Sequence, residues 1–212
     1  VRRSGCSSTR VSTTAASPRN SRSRSAPCAR ACTARARRCR TLADPVLQAF
    51  KSQVETAVPI HRLDVGTSGL VVFAKQPAFV QAWSNALQGA NGRKVYIAAA
   101  RGRTPMKGAI TRDLREDGRM VTARTRYRWL GSVGGHSVLR VIPEQGRTHQ
   151  IRRHLSSIGH PVLGDDRYGH PPTNRFFEEK HALDRTFLHC IRLEIDHPHT
   201  GARLIVETPV PA

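Results

Sequence analysis

His61-Arg62-Leu63-Asp64-Val65-Gly66-Thr67-Ser68-Gly69-Leu70 sets one carboxylate beside an arginine and just ahead of a small-residue turn. The run Leu70 to Ala74 follows at once. It is apolar, partly β-branched and bounded by Gly69 and Lys75, which predicts a short buried strand. Asp64 then sits in a loop feeding a core strand, where a rigid scaffold aims a side chain at a substrate. Taken alone, the same Asp reads as a surface residue capping a turn. The rest of the chain decides between the two.

Outward from this stretch the pattern alternates between helix and strand. Asp44-Pro45 opens a predicted short helix carrying Val46, Leu47, Phe50 and Val54. Pro77 starts an amphipathic helix with Phe79, Val80, Trp83 and Leu87 on one face, ending near Gly89 and Gly92. Lys94 to Ala100, 119–130 and 137–143 read as strands, the last two separated by a turn over Gly131 to Gly135. Thr148 to Ser157 reads as a helix stopped by Gly159. Phe187, Ile191, Leu193 and Ile195 alternate as in a half-buried strand, and Leu204 to Val206 closes as another. The expected fold is α+β: a single domain with a largely antiparallel mixed sheet and two or three flanking helices.

The second dense stretch is Gln145-Gly146-Arg147-Thr148-His149-Gln150-Ile151-Arg152-Arg153-His154-Leu155. It crowds cationic side chains at the start of a predicted helix, where the macrodipole already favours an anion. With Ile151 and Leu155 facing the core, Arg152 is partly buried and wants a carboxylate, for which Asp64 is the candidate. Read alone, Arg147, Arg152 and Arg153 form a solvated basic face. His149 and His154 do not have HExxH spacing, and no acid lies between them, so zinc hydrolase chemistry is not expected.

Composition points to a polyanionic partner. The net charge is +20. Residues 1–40 hold eleven Arg, four of the five Cys and no Lys, Asp or Glu; residues 41–212 hold 24 basic against 15 acidic residues, a balance of +9. The first segment has too little apolar surface to offset the entropy of ordering, which predicts disorder. Two readings stand for it: an RNA-binding tail, or the product of out-of-frame or wrongly started translation. Cys28, Cys32 and Cys39 lack CxxC pairing and a fourth ligand, so no metal is expected. No apolar run approaches the roughly 20 residues of a membrane span, no secretory leader is evident, and the cysteines suggest no disulfide framework. The expectation is a cytoplasmic protein without a membrane partner.

HRLDVGTSG, KVYIAAARG, GRTHQIRRHL, GHPVLGDDRYG and FLHCIRLEIDHPHTG occur in this order, from about Pro59 to Gly201. Together they resemble the RluA-type family of RNA pseudouridine synthases. The resemblance implies a pseudouridine-synthase catalytic domain over 41–212. It also implies isomerisation of a specific uridine in tRNA or large-subunit rRNA, with no cofactor and no metal. Asn174-Arg175-Phe176 and the doubled Arg152-Arg153 look most like the tRNA-modifying branch. In such enzymes uracil leaves C1′ of its ribose, turns, and rejoins through C5, after the base has been flipped from its stack.

By resemblance, Asp64 is the catalytic aspartate, acting on C1′ or C6 or supporting a glycal intermediate. Arg152 holds its carboxylate in place. Tyr96 packs on the flipped uracil and handles a proton, although a core strand aromatic reads the same way. Arg62 reaches toward the RNA. Leu188 contacts the base, or is simply strand core. Arg147, His149, Gln150 and Arg153 complete an RNA-facing set. His61 orders the loop, and Asp165, Asp166 and Tyr168 match a structural loop. The Lys-Pro-x-Gly strands that usually precede the aspartate motif are not found here, and an uncovered sheet edge is expected to lower stability. The competing reading is a catalytically idle, Arg-rich RNA-binding protein. A monomer is expected.

Overall fold

The structure is a computed structural model, and residues 57–210 are described. The predicted helix at Asp44-Pro45, the Arg-rich segment and its cysteines lie outside them. In chain order the elements are β1 (Val58–Pro59), β2 (Ser68–Gly69), β3 (Phe73–Ala74), a 3-10 turn (Pro77–Phe79) and α1 (Val80–Gln88). Then come β4 (Arg93–Ala100), β5 (Lys107–Ile110), β6 (Leu114–Glu116), β7 (Arg119–Val121), β8 (Thr125–Val133) and β9 (His136–Pro143). The chain continues with α2 (Gln150–Ser157), α3 (Pro171–His181), β10 (Leu188–Asp196) and β11 (Arg203–Glu207).

The main sheet runs β11-β10-β4-β9-β8-β5 with antiparallel neighbours, and β2 joins β10 in parallel. β4 is central because its sequence is apolar on both faces: Val95 to Ala100 are all buried. Trp83 and Leu87 of α1, and Ile151 and Leu155 of α2, join Leu139, Val141, Leu193 and Cys190 in one core. A smaller cluster places Phe177 of α3 on Ala99 and Leu163.

Four expectations are corrected. Leu70 to Ala74 is not one strand: Ser68–Gly69 pairs with β10, while Phe73–Ala74 pairs with β1. The apolar run is buried by packing rather than by a continuous ladder. Residues 119–130 split into β7 and most of β8, and β8 runs on to Val133 through a bulge. The connecting turn then needs only Gly134 and Gly135, both at positive φ, the two-residue loop that suits hairpin twist. α2 starts at Gln150 because His149 takes a left-handed conformation, φ 53°. α3 was not anticipated, because it buries only Phe177 and shows almost no apolar stripe; its signals were local, Pro171 at its start and the His170 side chain accepting from Thr173 N–H.

Candidate active site

The Asp64 loop is fastened at its far end. Gly69 sits at φ 118°, and a Cβ there would come 2.3 Å from the Cys190 carbonyl oxygen, so only glycine lets this loop lie on β10. Next to it, the Ser68 hydroxyl is 2.7 Å from His189 Nδ1 and accepts from Arg185 Nη1 at 2.8 Å. His189 Nε2 lies 3.1 Å from the Pro209 carbonyl. A carbonyl can only accept, so Nε2 carries the proton, Nδ1 accepts, and Ser68 donates to it. Burial lowers the pKa of His189, which fits a neutral ring. At the loop's other end His61 Nε2 accepts from Val72 N–H at 3.2 Å, and burial, helped by Lys94, pushes the ring's pKa down to about 3. A neutral His61 therefore orders the loop.

Between these fastenings the Thr67 N–H closes a turn onto the Asp64 carbonyl at 3.0 Å, and the half-buried Asp64 side chain faces a cleft. The cleft encloses about 90 Å³. Its walls include Arg62, Lys94, Tyr96, Gln145, Arg147 and Ile151. Tyr96 is buried; desolvation, with Cys190 and Asp64 nearby, raises its phenol well above the usual range, so the ring stays neutral. Cys190 behind it is pushed up to about 12 by burial and is an inert thiol.

Arg152 stands behind Asp64. Its Nη1 is 3.7 Å from Asp64 Oδ2, but its principal partner is Asp165: Nε donates to Oδ2 at 2.7 Å and Nη2 to Oδ1 at 2.8 Å. Asp64 is thus an ion-pair partner of Arg152, as expected, but not its principal one. A bidentate, buried carboxylate satisfies the guanidinium first, and Asp64 takes the remaining edge. Burial opposes the charges of both Arg152 and Asp165, yet their mutual hydrogen bonds prevail. The pKa of Arg152 is raised and that of Asp165 lowered. Asp165 also accepts from Arg167 and Tyr168 N–H groups, and the Tyr168 ring lies under the guanidinium at 5.3 Å.

Of the residues singled out in the sequence, Asp64, Arg62, Tyr96, Arg147 and Gln150 line the cleft. Gln150 does so with its carboxamide already engaged: Oε1 accepts from Arg147 N–H, and Nε2 donates to the Arg124 carbonyl and Thr125 Oγ1. It shapes the wall rather than offering free groups to RNA. His149 pairs with the Tyr168 hydroxyl at 3.1 Å, Arg153 is half-buried, and Leu188 is packed in the core opposite Ala98. None of these three lines the cleft. Sequence reasoning missed Lys94, whose pKa burial lowers and which has no carboxylate within 4.0 Å among the described residues. Its two-residue spacing from Tyr96 on one strand face was the available signal.

The family profile described as RNA pseudouridylate synthase matches residues 30–157. The chain belongs to the RNA pseudouridylate synthase family. An uncharacterized RNA pseudouridine synthase of Chloroflexus aurantiacus is 39% identical over 163 residues, 72% of this chain and 50% of that protein. Ribosomal large subunit pseudouridine synthase D of Nitrosomonas europaea is 37% identical over 171 residues, 76% of this chain and 50% of that protein. The chain thus spans about half the length of the curated relatives it matches. Human RNA pseudouridylate synthase domain containing 1 superposes with a TM-score of 0.65 at 26% identity, covering 78% of this chain and 74% of that one.

Proposed function

We propose that this chain isomerises a uridine in structured RNA to pseudouridine, with Asp64 as the reacting carboxylate. The observation that carries the proposal is the placement of Asp64. Its side chain faces a cleft beside the neutral Tyr96 ring and is backed at 3.7 Å by an arginine that Asp165 clamps. Arg152 orients the carboxylate but does not line the cleft, so its charge acts through Asp64. Tyr96 offers a flat apolar wall for a base taken out of its stack. Arg62, Arg147 and Lys94 surround the same cleft and suit the phosphates on either side of that nucleotide. Leu188 acts one layer back, supporting the Tyr96 side of the core.

Large-subunit rRNA is the preferred substrate class, supported by the names of relatives such as the Nitrosomonas europaea enzyme. Part of what the tRNA reading rested on serves the fold. Arg152 is buried while Arg153 is not, and Asn174 donates to the Asp165 carbonyl and accepts from Gly164 N–H. The reading carries with it a monomer at work in the cytoplasm, supported by the nature of the substrate.

Tritium release from RNA labelled at uridine C5 tests the proposal, because C5 gives up its hydrogen when it bonds to ribose. Release from rRNA by the protein, and none by Asp64→Asn, is the expected result. Release that ignores Asp64, or none from either rRNA or tRNA by a folded sample, overturns it.

A further inference from the structure

A row of cations crosses the sheet on the face away from Asp64. Lys107 of β5 is the register partner of Arg128 of β8, and Arg128 is the partner of Arg140 of β9. Directly paired residues point to the same side of a sheet, so the three side chains stand side by side. Adjacent strands are about 4.8 Å apart, which gives the row a span of roughly 10 Å. Tyr96, which lines the cleft, belongs to the other set: it pairs with Val141, and Val141 with Tyr127, one residue out of phase with Arg140 and Arg128. Lys107 and Arg128 are exposed and Arg140 is half-buried.

Like charges directly opposite one another destabilise a sheet. Elsewhere in this protein the cost is met by acids. Arg192 pairs with Glu194 and Glu207, Arg203 with Glu194 and Asp196, and Arg124 and Arg126 share Glu144. Lys107, Arg128 and Arg140 have no carboxylate within 4.0 Å among the described residues. Residues 1–56, ahead of the described range, hold eleven Arg and Lys51 against only two acids, Asp44 and Glu55.

We infer that the Lys107–Arg128–Arg140 row is a second docking surface for RNA phosphates, separate from the Asp64 cleft. Guanidinium forks match phosphate oxygens, and a row across strands follows a backbone rather than a single anion. Lys107 stands on β5, the edge strand, so an RNA arm leaving the cleft reaches the row around that edge. The inference rests on the RNA reading proposed above. Its role is to hold parts of the RNA beyond the target nucleotide, which raises affinity without touching the chemistry.

The test compares the full chain with a Lys107→Gln, Arg128→Gln, Arg140→Gln triple variant and with a charge-keeping Lys107→Arg, Arg128→Lys, Arg140→Lys variant. Binding to an rRNA fragment is followed from 0.05 to 0.5 M salt beside tritium release. The neutral triple variant is expected to keep or slightly raise its thermal midpoint, to keep its kcat, to raise KM several-fold, and to flatten the salt slope of log affinity by about 2, the share of three phosphate contacts on a single strand. The charge-keeping variant is expected to restore both slope and KM. An unchanged slope and KM in the neutral triple variant overturns the inference. So does an intact RNA slope with lost binding of polyglutamate, which would mark a face for acidic protein. If the wild-type chain binds RNA but releases no tritium, the enzymatic reading fails while the binding slope still judges the row.

Discussion

The two faces of the sheet treat charge in opposite ways. On the cleft side Arg152 is buried among Asp165, Asp166 and Asp64, and its charge is consumed in holding positions. On the other side Lys107, Arg128 and Arg140 stand abreast with no acid within 4.0 Å among the described residues. The first arrangement is rigid, pre-set and costly to break, because a buried charge left alone has nowhere to go. The second is mildly self-repelling, and a polyanion relieves it. Chemistry needs the first kind of order and affinity is served by the second, so substitutions on the two faces are expected to fail in different ways.

The largest effect is expected at Asp64. Asp64→Asn should lower single-turnover isomerisation by roughly 10³-fold or more, the scale of losing a reacting group, while RNA affinity stays within about twofold. A comparable loss of affinity would mean that the cleft carboxylate organises binding, and the division between the faces would break. Asp165→Asn comes next. It leaves the Arg152 guanidinium with an exposed Asp166 and a more distant Asp64, so the folded state should lose about 3–5 kcal/mol in urea titration. Arg128→Gln should stay within about 0.5 kcal/mol of the wild type. The acid limb gives the same contrast. The folded pKa of Asp165 lies below its unfolded value, so its contribution is complete above about pH 4 and is lost as pH falls further. Asp165→Asn should flatten stability against pH in that window. An unflattened curve would assign the acid sensitivity to other carboxylates.

Much of this was legible in the sequence, and the failures have physical causes. The core strands and α1 followed from apolar periodicity, which burial enforces. The Asp64 loop followed from its glycines and its adjoining apolar run. Asp165 was recognised only as part of a structural loop, because pairing between residues 13 apart leaves no local pattern. The Ser68–His189 bond, spanning 121 positions, was equally invisible. α3 was missed because most of its surface faces solvent. The cation row was visible only as composition; β8, β9 and β5 had to be placed in register before three separate basic residues became neighbours.

Lys94 tests the comparison from within the cleft, where an ammonium lacks a carboxylate partner within 4.0 Å among the described residues. Burial lowers its pKa, so the folded state already disfavours its charge. Lys94→Met removes that unfavourable charge and keeps the stem's volume. The thermal midpoint should hold or rise, while KM for RNA rises several-fold. A fall in midpoint with unchanged KM would make Lys94 a structural member like Arg152.

The smallest expected effect is also the most direct measure of the repulsion on the far face. Arg128 is the middle member of its row, so Arg128→Gln removes both unfavourable cross-strand pairs at once. Relief of the two pairs should make the variant more stable than the wild type at low salt, by no more than about 0.5 kcal/mol. The advantage should vanish near 1 M salt, where the screening length falls to about 3 Å, below the strand spacing. Saturating RNA should reverse the order, because ligand bound to the native state stabilises the chain that binds it more tightly. Thermal midpoints at low salt, at high salt and with an rRNA fragment measure all three. A variant less stable at low salt would show that the row is held by packing of the arginine stems, and the contrast between the faces would then rest on the cleft alone.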